Sequence, residues 1–433
     1  MDTNLNTKKL LIIGHTYPEP STTAAGGRMM QLIKLFNESN YEITFGSTAS
    51  KNEKSANLIA QDITIKNIKL NDSTFDDFVK EINPTVVMFD RFITEEQFGW
   101  RVSENCPNAL KILDTEDLHF LRNARKEAIK KNKPVSVANL FSDSAKRELA
   151  SILRCDLSLI ISEYEIMLLK NSFNISSDIL FYLPLLADAN TEFKNSVSFT
   201  ERKNFLAIGN LLHPPNVDSV LQLKKLWPKI KRQIPSAELH VYGAYAPQQI
   251  LQLNNKKEGF IIQGWAEDVN EIMNNYRVQL APIRFGAGLK GKLFDAMQFG
   301  LPSITTKVGA EGLYGNLAYG GVITTSDENF ITNAVELYSD ENAWQNAQKN
   351  GFKIIEKRFL GELFSEKLNA KITTLVKTIT KHRQENFLGQ VIQHHTLQST
   401  KYLSKWIETK NQIPQNSSPV CFANSDEVRD EYK

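Results

Sequence analysis

Short runs of branched and aromatic apolar residues recur through the first half of the chain, at Leu10–Ile13, Glu42–Phe45, Val86–Phe89, Ala109–Leu113 and Leu157–Ile161. Between them apolar positions fall three to four apart, and Met29, Leu32, Ile33, Leu35 and Phe36 share one helical face. Continuous apolar strands alternating with amphipathic helices predict a parallel sheet covered on both sides. Residues 187–204 (ADANTEFKNSVSFTERKN) interrupt the pattern with polar and turn-forming residues and read as a linker. The alternation restarts with FLAIG, a helix from Asn216 to Trp227, ELHVYG, FIIQGW, VQLAPI, SITT and GVITT. Past about Phe352 the chain is helical and increasingly polar, and Pro414 to Lys433 lacks periodicity, as a loose tail does. The pattern divides into residues 1–195, 196–352, 353–413 and 414–433, two βα domains followed by helices and a tail.

Composition narrows the classes. Hydrophobic residues make up 41% and charged residues 23%, as in a soluble protein with ordinary cores. Lysine plus arginine exceeds aspartate plus glutamate by 51 − 49 = 2, so no overall charge selects nucleic acid as a partner. Cys106, Cys155 and Cys421 are far apart and lack metal-ligand spacing. The apolar run at Leu10–Ile13 ends at Gly14-His15, before a signal core could form, and no run approaches the roughly 20 residues that span a bilayer. The expected location is cytoplasmic. The basic stretch Arg122 to Lys133 (RNARKEAIKKNK) reads most plainly as a solvated helix face, with peripheral contact to anionic headgroups on the inner membrane face as the sharper alternative.

The chemistry concentrates between Val278 and Leu313, VQLAPIRFGAGLKGKLFDAMQFGLPSITTKVGAEGL. A strand runs into a loop bearing Gly286, Gly288, Gly291, Lys290 and Lys292, and then into a helix holding Asp295. Approachable backbone N–H groups, a helix N-terminus and mobile cations suit a phosphate or diphosphate. The loop satisfies the dinucleotide pattern G-x-G-x-x-G, with Glu311 suitably spaced for a ribose. However, Pro282 and Arg284 separate strand from glycines and several βα units precede it. Gly286 to Lys292 also matches G-x-x-x-x-G-K, but Leu293 stands where a P-loop needs a hydroxyl for magnesium.

A third pattern takes in more of the residues. The loop, both lysines, Asp295-Ala296-Met297, Gly300-Leu301-Pro302 and Gly309-Ala310-Glu311-Gly312 closely resemble the donor-site signature of retaining glycosyltransferases of family 4. The resemblance implies the GT-B fold: two Rossmann-like α/β domains facing a cleft, with the last helices, Phe387 to Ile407 among them, crossing back onto the first domain. It also implies a nucleotide diphosphate sugar as co-substrate, no cofactor and no metal. Much of the family has two glutamates eight positions apart here, and the matching positions are Ala287 and Asp295. Asp295 thus inherits the hold on the donor's ribose hydroxyls, while Lys290 or Arg284 reshapes the sugar end where the first carboxylate is missing. Lys290, Lys292, Arg284 and Asp117 form the implied catalytic set. Gly209, His213, Gly286, Gly288, Asp295 and Glu311 form the donor set.

On the other side of the cleft, His15 follows the first strand and Gly26, Gly27 and Arg28 open the next helix, where the family has a loop that meets acceptor or sugar. A plain βα turn explains the same glycines, whereas Arg28 opposes the helix dipole and needs another reason to be there. In LDTEDLHFLRNAR, the residues Asp114, Glu116, Asp117 and His119 would sit at a strand's carboxyl end. The family often has a His-Asp pair at this place and this chain has Glu116-Asp117; Asp114 or Thr115 would equally serve as a helix cap. In the second half, Asn216 is placed to cap the helix that follows Pro214 and Pro215.

The resemblance implies transfer of a sugar to a glycan, lipid-linked or other hydroxyl acceptor with retained configuration, in surface glycan or exopolysaccharide synthesis. A nucleotide-sugar epimerase on the same fold and a catalytically silent nucleotide-sugar-binding scaffold are the competing functions. The lysines and Asp295 argue against the scaffold, which has no need of a diphosphate clamp.

Overall fold

The computed structural model describes residues 8–188 and 197–412. The boundary at 195/196, residues 189–196 of the expected linker and the expected tail from 414 lie outside the described residues.

Two parallel sheets form the chain. The first contains β1 (Lys8–Gly14), β2 (Tyr41–Ser47), β3 (Thr64–Asn67), β4 (Val86–Asp90), β5 (Leu110–Asp114), β6 (Leu157–Ile160) and β7 (Leu180–Tyr182), in the order β3-β2-β1-β4-β5-β6-β7. The second contains β8 (Lys203–Ile208), β9 (Leu239–Tyr242), β10 (Phe260–Gly264), β11 (Tyr276–Ala281), β12 (Ser303–Thr306) and β13 (Gly321–Thr324), in the order β10-β9-β8-β11-β12-β13. Both have the doubly wound Rossmann order, so each has a switch point beside its first strand where ligands bind. The GT-B architecture implied by the sequence is present.

The apolar runs are continuous because both sheet faces are buried. In β1, Leu11 and Ile13 enter one core with Val87 and Phe89 of β4, while Leu10 and Ile12 enter another with Met88. That second core takes in Met29, Leu32, Ile33, Leu35 and Phe36 from the helix Ala24–Glu38.

The helix expected from Asn216 begins earlier, as Pro214–Gln233, because Pro214 and Pro215 occupy its first turn, where missing N–H groups cost nothing. His213 is the N-cap residue, so Asn216 is freed for another contact. Nor do Asp114 and Thr115 cap a helix: the next one starts at His119.

After the second sheet, the helix Glu341–Arg358 still packs on that domain, and the chain then crosses back. Leu368, Ile372 and Leu375 of the helix Glu362–Lys377 complete the first domain's second core. The last described helix, Phe387–Gln412, lies on the first domain, where Gln393 accepts from the buried Lys111 at 2.9 Å. No helix among the described residues is long and apolar enough to cross a membrane.

Candidate active site

The carboxyl ends of both sheets face one cleft of about 550 Å³. Its second-domain wall comes from the segment after β8 (Gly209 to Asn216), the turn after β9 (Gly243, Ala244), Trp265 and Ala266, and the loop after β11 with the helix Gly291–Gln298. Its first-domain wall comes from the opening of the helix Ala24–Glu38 and from Arg91, Glu116, Asp117, His119 and Arg122. Three helices present their N-terminal ends here, those beginning at Ala24, Pro214 and Gly291, and so give the cleft a positive bias.

Lys290 and Lys292 had the look of exposed loop lysines; the structure places them inside. Lys290 is buried, and its Nζ donates to the carbonyl of Gly288 at 2.8 Å. Lys292, in the first turn of the Gly291 helix, donates to Asn216 Oδ1 at 2.7 Å. Burial lowers both lysines, Lys292 to about 7, and no carboxylate among the described residues pairs with Lys292. Asp295, one turn on, is pushed up to about 7 by burial, and its carboxyl has no hydrogen-bond partner among the described residues. A half-buried cation and a carboxyl, both unpaired, face the same space.

One residue of the expected donor set and one of the expected catalytic set lie elsewhere. Glu311 is absent from the cleft lining because Arg125 takes its carboxylate in a bidentate pair at 2.8 and 2.9 Å, a contact between the two domains. The spacing that suggested a ribose contact counted residues along the chain and missed Arg125. Arg284 points outward, exposed, and pairs with Asp218 on the Pro214 helix at 2.9 Å, which removes it from the reacting end.

Gly288 is backbone at a crossing point. Its φ is +60°, and a Cβ there would come within 2.8 Å of the Asp117 Cβ. Its N–H donates to Glu165 Oε1 at 2.8 Å, and the same oxygen accepts from Leu118 N–H at 3.0 Å. Glu165 thus ties the donor loop to the loop that carries Glu116 and Asp117, and Arg125 adds a bond to the Gly286 carbonyl at 2.8 Å. Burial, with Asp117 adding, pushes the Glu165 carboxyl up to about 7.

The first-domain wall is largely self-paired. Arg28 and Asp114 are both buried and bonded at 2.7 to 3.1 Å, and Arg28 also donates to the Leu183 and Pro184 carbonyls. This pairing explains an arginine that opposes its own helix dipole. It also puts the Asp114 carboxyl, which burial pushes up, in a buried structural pair rather than in the cleft lining. Gly26 does not line the cleft either; a Cβ there would meet the Glu19 backbone at 2.4 Å. His15 donates its backbone N–H to Asp90 Oδ2 at 2.9 Å and lies behind the lining, whereas Gly27 is in it.

Glu116 and Asp117 are neighbours with opposite charge states. Glu116 has φ +62°, rare for a residue with a side chain, and Arg91 beside the cleft has φ +72°. Burial, reinforced by Asp114 and Asp90, pushes Glu116 up to about 8, so it keeps its proton at pH 7. Burial would also raise Asp117, but Arg122, His119 and His213 outweigh it and hold that carboxyl down. Asp117 is gripped by Arg122, with His119 Nε2 at 3.4 Å. Burial lowers His119 and His213 to about 4, leaving both imidazoles neutral. Paired carboxyls held in different protonation states are a common basis of proton transfer.

The basic stretch at Arg122–Lys133 divides. Arg122 and Arg125 turn inward to these contacts, and Lys130, Lys131 and Lys133 remain exposed.

Residues 202–340, most of the second domain, match the family model described as Glycosyl transferases group 1. The chain is similar to the group 1 glycosyltransferases. Its fold is shared with sucrose-phosphate synthase from Thermosynechococcus elongatus (11% identity, 86% of this chain and 100% of that one, TM-score 0.66). HepE from Anabaena in complex with UDP and glucose aligns with 14% identity over 85% of this chain and all of that one, TM-score 0.64. WaaG, a glycosyltransferase involved in lipopolysaccharide biosynthesis, aligns with 13% identity over 84% of this chain and 99% of that one, TM-score 0.59. No curated protein matches the chain. At these identities the structural likeness establishes the GT-B fold, and the family match supports sugar transfer as the reaction class.

Proposed function

We propose that the protein transfers a sugar, with retention, from a nucleotide diphosphate sugar to an acceptor hydroxyl on a glycan or lipid-linked substrate in surface glycan or exopolysaccharide synthesis. The observation that carries this reading is the placement of Lys292 without a carboxylate partner, one helical turn from an equally unpaired Asp295. A diphosphate supplies the charge that Lys292 lacks, and ribose hydroxyls supply the donors that Asp295 lacks. HepE, of the same fold, is described with UDP and glucose, which supports a nucleotide in this position.

In the reaction, the bond from the anomeric carbon to the diphosphate oxygen breaks and the acceptor oxygen bonds to that carbon. Charge grows on the departing diphosphate, where Lys290, Lys292 and the N-terminus of the Gly291 helix stabilise it more than in the ground state. These groups take the part of a divalent ion, so the proposed transfer is metal-independent. In this proposal Asp117, held ionised beside Arg122 and His119, receives the acceptor's proton. Lys130, Lys131 and Lys133 flank the exposed Val137 and Phe141, a surface suited to peripheral contact with anionic headgroups. Flotation with anionic vesicles that disappears on replacing the three lysines by glutamate is the expected outcome for that surface.

Incubation with a panel of nucleotide sugars and hydroxyl acceptors, followed by NMR of the product, tests the function. A glycoside of the donor's anomeric configuration is expected. An epimerised sugar without acceptor would establish the epimerase, and tight donor binding without turnover the silent scaffold.

A further inference from the structure

The helix Phe387–Gln412 has one face committed to the first domain. Lys401 pairs with Glu104 at 2.7 Å, Lys405 lies 3.9 Å from Asp76, and Arg101 donates to Ser404 and Glu408. Its opposite face carries Phe387, Leu388, Val391, Tyr402, Leu403 and Trp406, between 38% and 69% exposed. At 3.6 residues per turn they form one stripe with two apolar clusters, separated by the exposed His395 and Ser399. Exposed apolar clusters of this kind mark an interaction surface.

Two features of the stripe specify its occupant. The first is symmetry: Leu388 and Trp406 are equally far from position 397, and so are Val391 and Leu403. Two copies laid antiparallel across that point place the first cluster of each on the second cluster of the other, the self-complementary contact of a two-fold dimer. The body of each chain then lies behind its own helix, away from the contact. The second is charge. Lys401 and Lys405 are matched by acids of their own chain, so the stripe is not a basic surface. At its two ends stand Glu385, just before the helix and 3.7 Å from the exposed Lys381 of its own chain, and Lys410, which lies over the Trp406 ring; an antiparallel pair brings these opposite charges together.

We propose that the chain forms an antiparallel homodimer through this stripe. With the two-fold level with position 397 the two helices overlap over residues 387–407, about 31 Å, and with a contact width of about 10 Å this buries roughly 300 Å² per copy. That is below the roughly 800 Å² per partner of a standard interface, so the dimer dissociates on dilution.

Light scattering of the full chain over a range of concentrations is expected to show the mass rising from one chain to two. The doubly substituted Leu403→Glu/Trp406→Glu chain stays monomeric, and its thermal melt is unchanged because both side chains are exposed. Orientation is read independently in a Cys421→Ser background. There Val391→Cys protein mixed with Leu403→Cys protein forms an inter-chain disulfide, and neither protein alone does so. A monomer at every concentration overturns the proposal, as does a dimer indifferent to Leu403→Glu/Trp406→Glu or cross-linking of either cysteine variant with itself. A monomer that floats with phosphatidylglycerol vesicles through Trp406 would assign the stripe to a bilayer. A dimer that appears only after residues 413–433 are removed would assign it to the chain's own tail. Either result contradicts the proposal.

Discussion

The two walls of the cleft handle charge in opposite ways. On the first-domain wall, Arg28 is bonded to Asp114 and Arg122 to Asp117, Arg91 lies 3.5 Å from Asp90 without a hydrogen bond, and the acid left over, Glu116, keeps its proton. On the second-domain wall, Lys292 and Asp295 have no charged partner. A wall that satisfies itself is a scaffold against which a neutral hydroxyl can be placed. A wall left unsatisfied pays a desolvation cost that a charged ligand removes. On the proposed function, the diphosphate belongs to the second wall and the acceptor to the first.

The largest effects should separate the walls most clearly. Lys292→Ala is expected to lower turnover about 100-fold, the scale of losing one charge-stabilising donor, without lowering the melting temperature, since it removes a poorly solvated cation. Arg28→Ala should do the reverse in kind: it strands the buried Asp114 carboxyl and costs about 3–5 kcal/mol of stability. Parallel melts and rate measurements on the two variants decide the matter; a Lys292 variant as unstable as the Arg28 variant would erase the distinction.

Asp295→Asn comes next, with nucleoside diphosphate binding about tenfold weaker, as for a lost hydrogen bond to a charged acceptor. Calorimetry showing unchanged affinity would make Asp295 an ordinary helix residue.

Glu116→Gln sharpens the comparison through pH. The Glu116 proton is held up to about pH 8, so wild-type turnover should fall as pH rises through 8, while the glutamine variant stays level. The sign for stability follows from the same shift. Below the ordinary value of 4.5 both folded and unfolded chains hold this proton; between 4.5 and 8 the folded chain alone does. Wild-type stability relative to the variant therefore declines across that window and is constant above it. Melts at pH 4 and pH 8 that show an equal offset between the two proteins would contradict the assigned protonation.

The smallest expected effect is none: EDTA should leave the transfer rate unchanged. Loss of activity on chelation, restored by Mg²⁺ or Mn²⁺, would mean that Lys290 and Lys292 do not supply the needed charge.

How much of this was legible in the sequence depends on the range of the contacts. Buried strands such as β1 and β4 appear as apolar runs because both their faces are covered. The edge strands β3 and β7 were missed: Thr64–Asn67 is mostly exposed and Leu180–Tyr182 is only three residues long, so little beyond backbone pairing marks them. Lys290, Lys292 and Asp295 were legible because loop and helix bring them together locally. Glu165, Arg125 and Arg91 were not. Glu165 reads as a favourable acid in a helix first turn, and its bond to Gly288 spans 123 positions. Asn216 reads as a helix cap in the sequence, whereas its side chain accepts from Lys292. Glu311 shows the opposite failure, in which a suitable spacing suggested a ligand contact and tertiary packing supplied Arg125 instead.

The central claim is that the second-domain wall is completed by a nucleoside diphosphate. Calorimetric titration of the wild-type chain and of Lys292→Ala with UDP, GDP and ADP in turn tests it most directly. The account predicts saturable binding of at least one of them by the wild-type chain, at least tenfold weaker in the variant. No binding of any diphosphate by the wild-type chain, or equal binding by both proteins, would contradict it.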